Sequence, residues 1–125
     1  MDVLSTEDGL ITECKPVDSD HPPAEHYCEK GIRRFVRGEY AWAMPEALMV
    51  GYVRGERTIA KTLIPSMRRE KQQKSLKTTR LPVAVEDGDG QREPLHDSRH
   101  RRGFRWRENK GRASRIRIYH SWHQC

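Results

Sequence analysis

The run Leu48-Met49-Val50-Gly51-Tyr52-Val53 constrains the fold more than any other segment: it is nearly all apolar in a chain of which 34% is charged. A short continuous run of this kind suits a strand covered on both faces. The flanking sequence supplies the helices for that coverage. From Ala24 to Arg37, residues Cys28, Ile32, Phe35 and Val36 form an apolar stripe, and Gly38 is a natural stop. From Glu56 to Ile64, residues Ile59, Leu63 and Ile64 share one side, and Pro65 breaks or restarts the helix. Upstream, Val3 to Thr6 reads as a strand, Glu7-Asp8-Gly9 as a turn and Leu10 to Cys14 as the returning strand. Strand, strand, helix, strand, helix is the order of an α/β layered domain.

Beyond Met67 the pattern loosens. Arg68 to Arg80 is basic, Leu81 to Val85 reads as a strand and Glu86 to Glu93 as a Gly-Asp loop. His96 and His100 fall in what reads as a solvated polar loop. Arg115 to Trp122 alternates bases and apolar residues, the mark of a half-buried closing strand. The expected organisation is a core over residues 1–67, a basic, partly disordered insertion or linker over 68–114, and a closing strand of the same domain over 115–125. At 125 residues the chain has room for one domain with a modest core.

Charge is distributed unevenly. Residues 1–29 carry eight acids and one base, whereas residues 97–118 carry nine Lys or Arg against two acids and residues 61–80 seven against one. An acidic front joined to basic blocks suits a cation-binding end next to surfaces that hold a polyanion; the plainer reading is that the bases keep a small domain soluble. No apolar run approaches the roughly 20 residues needed to span a bilayer, so no membrane partner is expected. The acidic first residues are unlike a signal peptide, and a cytoplasmic location is the expectation. Three cysteines without Cys-x-x-Cys spacing give no disulfide framework. His120, His123 and Cys125, with Cys14 or His26, are a minor zinc alternative. A phosphate-cradling Gly-rich loop and a Gly-x-Ser-x-Gly elbow are both missing, which leaves NTPase and serine-hydrolase classes without support.

The chemistry-bearing segment is Leu10-Ile11-Thr12-Glu13-Cys14-Lys15. In an extended strand, residues two apart share a face, so Glu13 and Lys15 project together and Cys14 points the other way, toward the core. A hairpin would bring Asp2 to the same end. An ordinary ion pair at a strand end is the bland alternative.

Ile11-Thr12-Glu13-Cys14-Lys15, then Tyr27 to Phe35 with its Gly31-Ile32-Arg33-Arg34-Phe35, then Met49 to Val53, together with the late His120-Ser121-Trp122, resemble the restriction-endonuclease-like PD-(D/E)xK nuclease superfamily. The resemblance implies a restriction-endonuclease-like core, a small mixed sheet flanked by helices, and Mg²⁺-assisted hydrolysis of DNA phosphodiesters, in a setting such as restriction or phage defence. It implies catalytic roles for Asp2, Glu13 and Lys15, with Asp2, Glu13 and the Cys14 carbonyl as metal ligands. Arg33, Arg34 and Arg37 on a helix face, and Arg101, Arg102, Arg105, Trp106 and Arg107 in the Arg-rich segment, are the expected nucleic-acid contacts. Two departures stand out: Met1 replaces the usual Pro before the Asp, and the helix that ordinarily precedes the hairpin is missing. A truncated product, a site completed by a homodimer or complementing protein, or a non-catalytic nucleic-acid-binding accessory are the corresponding alternatives.

Overall fold

The computed structural model describes residues 3–5, 11–38, 45–85, 93–102 and 115–124, with side chains for all of these except 3–5 and 11. Among the described residues six strands make one mixed sheet: β1 (Val3–Ser5), β2 (Ile11–Val17), β3 (Glu46–Val53), β4 (Thr78–Ala84), β5 (His96–His100) and β6 (Ile116–Gln124), in the order β1-β2-β3-β6-β5-β4. β1 and β2 pair antiparallel, β2, β3 and β6 run parallel, and β5 and β4 return antiparallel.

Three helical segments are described between the strands. The first, α1, opens on Pro22-Pro23, which suit a first turn because proline has no N–H to leave unpaired. It is wound wide over Pro23–Ile32, the Arg33 N–H reaching the Cys28 carbonyl five residues back, then tightens to an ordinary α-turn over Arg33–Val36. Gly38 at φ 78° ends it. The second, α2, begins at Thr58, whose hydroxyl accepts the Lys61 N–H at 3.0 Å. It too is wide over Ile59–Leu63 and α-wound over Ile64–Arg68, so Pro65 restarts it rather than ending it. The third, α3 (Glu70–Leu76), ends at Lys77 in the left-handed region, φ 49°.

The core lies between the helices and one face of the sheet. Tyr27, Cys28, Ile32, Phe35, Val36, Ile59, Leu63, Met67 and Leu76 meet Val17, Ala47, Met49, Val53, Ile116, Ile118 and Trp122. Strand β6 shows the alternation in full, with Ile116, Ile118, His120 and Trp122 buried and the residues between them half-buried. The same alternation corrects the expectation for Leu48–Val53. Met49, Gly51 and Val53 are covered, but Leu48 and Val50 are half-buried and Tyr52 is 46% exposed, because the helical core packs on one face.

Within 68–114, expected as a basic linker, the described residues form α3, β4 and β5 of this same sheet. His96 and His100, expected in a solvated loop, are buried strand residues. The strand read as closing the domain, β6, instead lies in the middle of the sheet, between β3 and β5. The structure is thus α/β with a mixed sheet. Among the described residues no helix is long and apolar enough to cross a membrane.

Candidate active site

Strand β2 carries Glu13 and Lys15 on its helix-facing side. Registers place Glu13 beside Val3 of β1 on one flank and Met49 of β3 on the other, in a row that continues to His120 of β6 and His96 of β5. The next row holds Lys15, Gly51 and Trp122. The Glu13 side chain is 1% exposed and the Lys15 side chain 19%, with Lys15 Nζ 3.1 Å from Glu13 Oε1. The period of two that put these side chains together in the sequence is therefore what the strand displays. Cys14 faces the other way, half-buried, and takes a weak 3.8 Å contact from the Tyr52 hydroxyl; it is not in the core.

Two glycines let large side chains approach this region. A Cβ on Gly51 would lie 2.7 Å from Trp122 Cδ1, and one on Gly31 2.5 Å from Met49 Cε. Both positions are therefore filled by a neighbour.

Next to the pair runs a buried chain of hydrogen bonds that sequence reading missed. Tyr27 Oη lies 2.7 Å from His120 Nδ1, His120 Nε2 2.7 Å from Ser98 Oγ, Ser98 Oγ 2.8 Å from His100 Nε2, and His100 Nδ1 2.9 Å from the Leu76 carbonyl. The carbonyl end fixes the proton order. Leu76 O only accepts, so His100 donates from Nδ1 and accepts at Nε2 from the Ser98 hydroxyl. Ser98 then accepts from His120 Nε2–H, and His120 Nδ1 accepts from the Tyr27 phenol. Both imidazoles are neutral in this arrangement. Burial drives the His100 pKa down to about 4 and that of His120 well below its usual range. Burial also raises the Tyr27 phenol well above its ordinary value, and the negative charge of Glu13 adds to that rise. The chain thus begins within the electrostatic reach of Glu13 and ends under α3. The signal for it in the sequence was the alternation of His96, Ser98 and His100, which puts three polar groups on one face.

His120 commits both ring nitrogens inside the protein, which removes it from a zinc set. Among the described residues, no group of three or more His, Cys, Asp or Glu is placed to hold a metal ion. Toward Mg²⁺, Glu13 offers one carboxylate, short of the several oxygen ligands that hard cation takes. Asp2, the second expected carboxylate, lies outside the described residues.

The expected nucleic-acid contacts divide. Arg33 and Arg34 are half-buried and Arg37 is exposed, all three at the α-wound end of α1 and apart from its buried Phe35 and Val36. Arg101 is exposed, whereas Arg102 is only 6% exposed, and burial lowers its guanidinium to about 10. Arg105, Trp106 and Arg107 lie outside the described residues. On the opposite side of the sheet, buried Asp97 binds Arg80 through both carboxylate oxygens and Arg117 Nε at 2.6 Å, with Arg99 Nε at 3.8 Å.

No protein-family model, no curated protein and no solved structure matches this chain.

Proposed function

We propose that the chain hydrolyses DNA phosphodiesters, with Glu13 and Lys15 as its reactive pair. The observation that carries this reading is the near-complete burial of the Glu13 carboxylate with Lys15 beside it. Withdrawing a carboxylate and an ammonium from water costs several kcal/mol per ion before their attraction is counted, so such a pair is a poor way to stabilise a sheet. A buried charged pair that stability does not explain is the kind of arrangement functional sites keep. The surrounding topology supports the same reading: a hairpin, β1–β2, followed by a helix and a parallel strand, β3, is the arrangement the nuclease resemblance implies.

Lys15, the more exposed of the two, would meet the phosphate, neutralise the charge that builds on it and orient the attacking water. Glu13 holds the ammonium in that position. A requirement for Mg²⁺, with Asp2, Glu13 and the Cys14 carbonyl as ligands, belongs to this proposal.

The test is nicking of supercoiled plasmid with Mg²⁺ or with EDTA, by the wild type, Glu13→Gln and Lys15→Met. Metal-dependent nicking that falls about 100-fold or more in both variants is expected, the size of effect seen when one transition-state contact is removed. Nicking that survives both substitutions would overturn the assignment. The accessory reading, nucleic-acid binding without cleavage, draws on the depth of Glu13 and on the basic cleft described next. It predicts duplex binding unchanged in both variants and no nicking by any of the three proteins.

A further inference from the structure

A second site lies at the other end of the sheet. The last turn of α3, the first residues of β4 and the residues following β5 border an open cleft of about 670 Å³, lined by Gln73, Lys74, Lys77, Thr78, Thr79, Arg101 and Arg102. Among the described residues its lining is chemically one-sided, with four cations, two hydroxyls and an amide, and no acid or large apolar residue. Pockets for ordinary small molecules are mostly apolar with a few polar groups, so this lining selects for something else. Arg102 is nearly buried there, so its charge acts from a partly desolvated position where attraction to an anion is stronger than in water.

The cleft is also built rather than incidental. The Arg101 N–H donates to the Lys77 carbonyl at 2.9 Å, tying the two walls together, and the Thr78–His100 pairing continues that tie into the sheet. Lys77 sits in the left-handed region where the chain turns from α3 into β4. One acid is close: Glu70 pairs with Lys74 at 3.1 Å, but both side chains are more than three-quarters exposed. Such a pair is worth little, and Lys74 exchanges it readily for a stronger anion.

We propose that this cleft is a phosphate-binding site, and that its phosphate is part of a nucleic-acid backbone. The second clause rests on the nucleic-acid reading above; the first does not. Four strand spacings separate β4 from β2, about 19 Å at roughly 4.8 Å each, before any displacement along the strands. A lone phosphate or mononucleotide is too small to touch both sites, whereas a duplex reaches from one to the other. The cleft would then anchor the strand at a distance from Lys15.

The experiment measures binding of a 20-base-pair duplex, and separately of inorganic phosphate, to the full chain over a range of salt concentrations. It compares the wild type with the double variant Lys77→Gly/Arg101→Ala. Glycine keeps the left-handed backbone at position 77, and alanine keeps the Arg101 N–H, so the walls of the cleft stay in place; matching melting curves check this. Duplex affinity should fall tenfold or more in the double variant, and the slope of log affinity against log salt should shrink by about 1.8, from two lost phosphate contacts at roughly 0.9 each. Unchanged affinity and slope would overturn the proposal. Inorganic phosphate bound through these residues without any duplex binding would keep the phosphate site and overturn its nucleic-acid source. The nuclease reading fails separately: a chain that binds duplex through the cleft but never nicks it loses the Glu13–Lys15 assignment and keeps this one.

Discussion

Glu13 and Lys15 are adjacent on one strand face, while His96, Ser98, His100 and His120 line the same face farther along the sheet. Burial holds His100 and His120 neutral, lowering the pKa of His100 to about 4 and that of His120 well below its usual range. Below about pH 6.5 the unfolded chain takes up protons that the folded chain refuses. Their contribution is therefore complete above pH 6.5 and declines as pH falls toward 4, by about 1.4 kcal/mol per pH unit for each histidine. Urea midpoints measured at pH 7.5, 6.5, 5.5 and 4.5 should drop through that window, and His100→Asn should show a shallower drop. A midpoint that stays level between pH 6.5 and 5 would contradict the buried neutral chain. The Glu13–Lys15 proximity was legible in the sequence because strand alternation is a local rule. The burial of His96 and His100 was not: histidine and serine in a polar stretch carry no mark of depth until the neighbouring strands are known.

Elements show the same division between local and distant information. The alternation from Arg115 to Trp122 announced a strand with one wet face. Its seat between β3 and β5 depends on pairings that no local pattern encodes. The wide winding of α1 and α2 also left no trace in the apolar spacing. At the β3–β6 contact, Gly51→Ala should be costly, about 1–3 kcal/mol, because the added methyl meets the rigid Trp122 indole within a strand pair. Gly31→Ala should be near neutral: Met49 Cε is the end of a flexible chain, and alanine improves the helix by up to about 1 kcal/mol. Chemical unfolding of the two variants side by side decides the point, and equal losses would argue against it. Across β4, β5 and β6, Asp97 staples Arg80, Arg99 and Arg117. Asp97→Asn leaves those guanidiniums crowded together. Their exposed ends reduce the penalty expected for breaking a buried pair to about 2 kcal/mol. Raising salt should recover part of that loss, since it screens the arginines from one another, and a loss indifferent to salt would point to packing instead.

At the scale of the whole molecule, the sequence announced an α/β layered domain, and the strands supplied by residues 78–84 and 96–100 enlarge its sheet beyond what composition suggested. The first overlaps Leu81 to Val85, legible as a strand, but charge density hid the second, since polar residues such as His96, Asp97 and Arg99 look like a solvated tail. Stability should be graded outward from the centre. Residue-resolved hydrogen exchange is expected to find the slowest amides in β3 and β6, each flanked by strands on both sides, and the fastest strand amides in β1, at the edge. Slowest exchange in β4 would refute that ordering. The placement of β6 has a consequence for biosynthesis as well. Every other described strand precedes Ile116–Gln124 along the polypeptide, yet this segment joins the β1-β2-β3 half of the sheet to the β5-β4 half. While a ribosome is still short of residue 116, the flanks of β3 and β5 stand open, two unsatisfied edges of the sort that recruit foreign strands. The two halves therefore join only once this strand has been made, and a nascent chain stalled before it would be more prone to aggregate than one that has passed it.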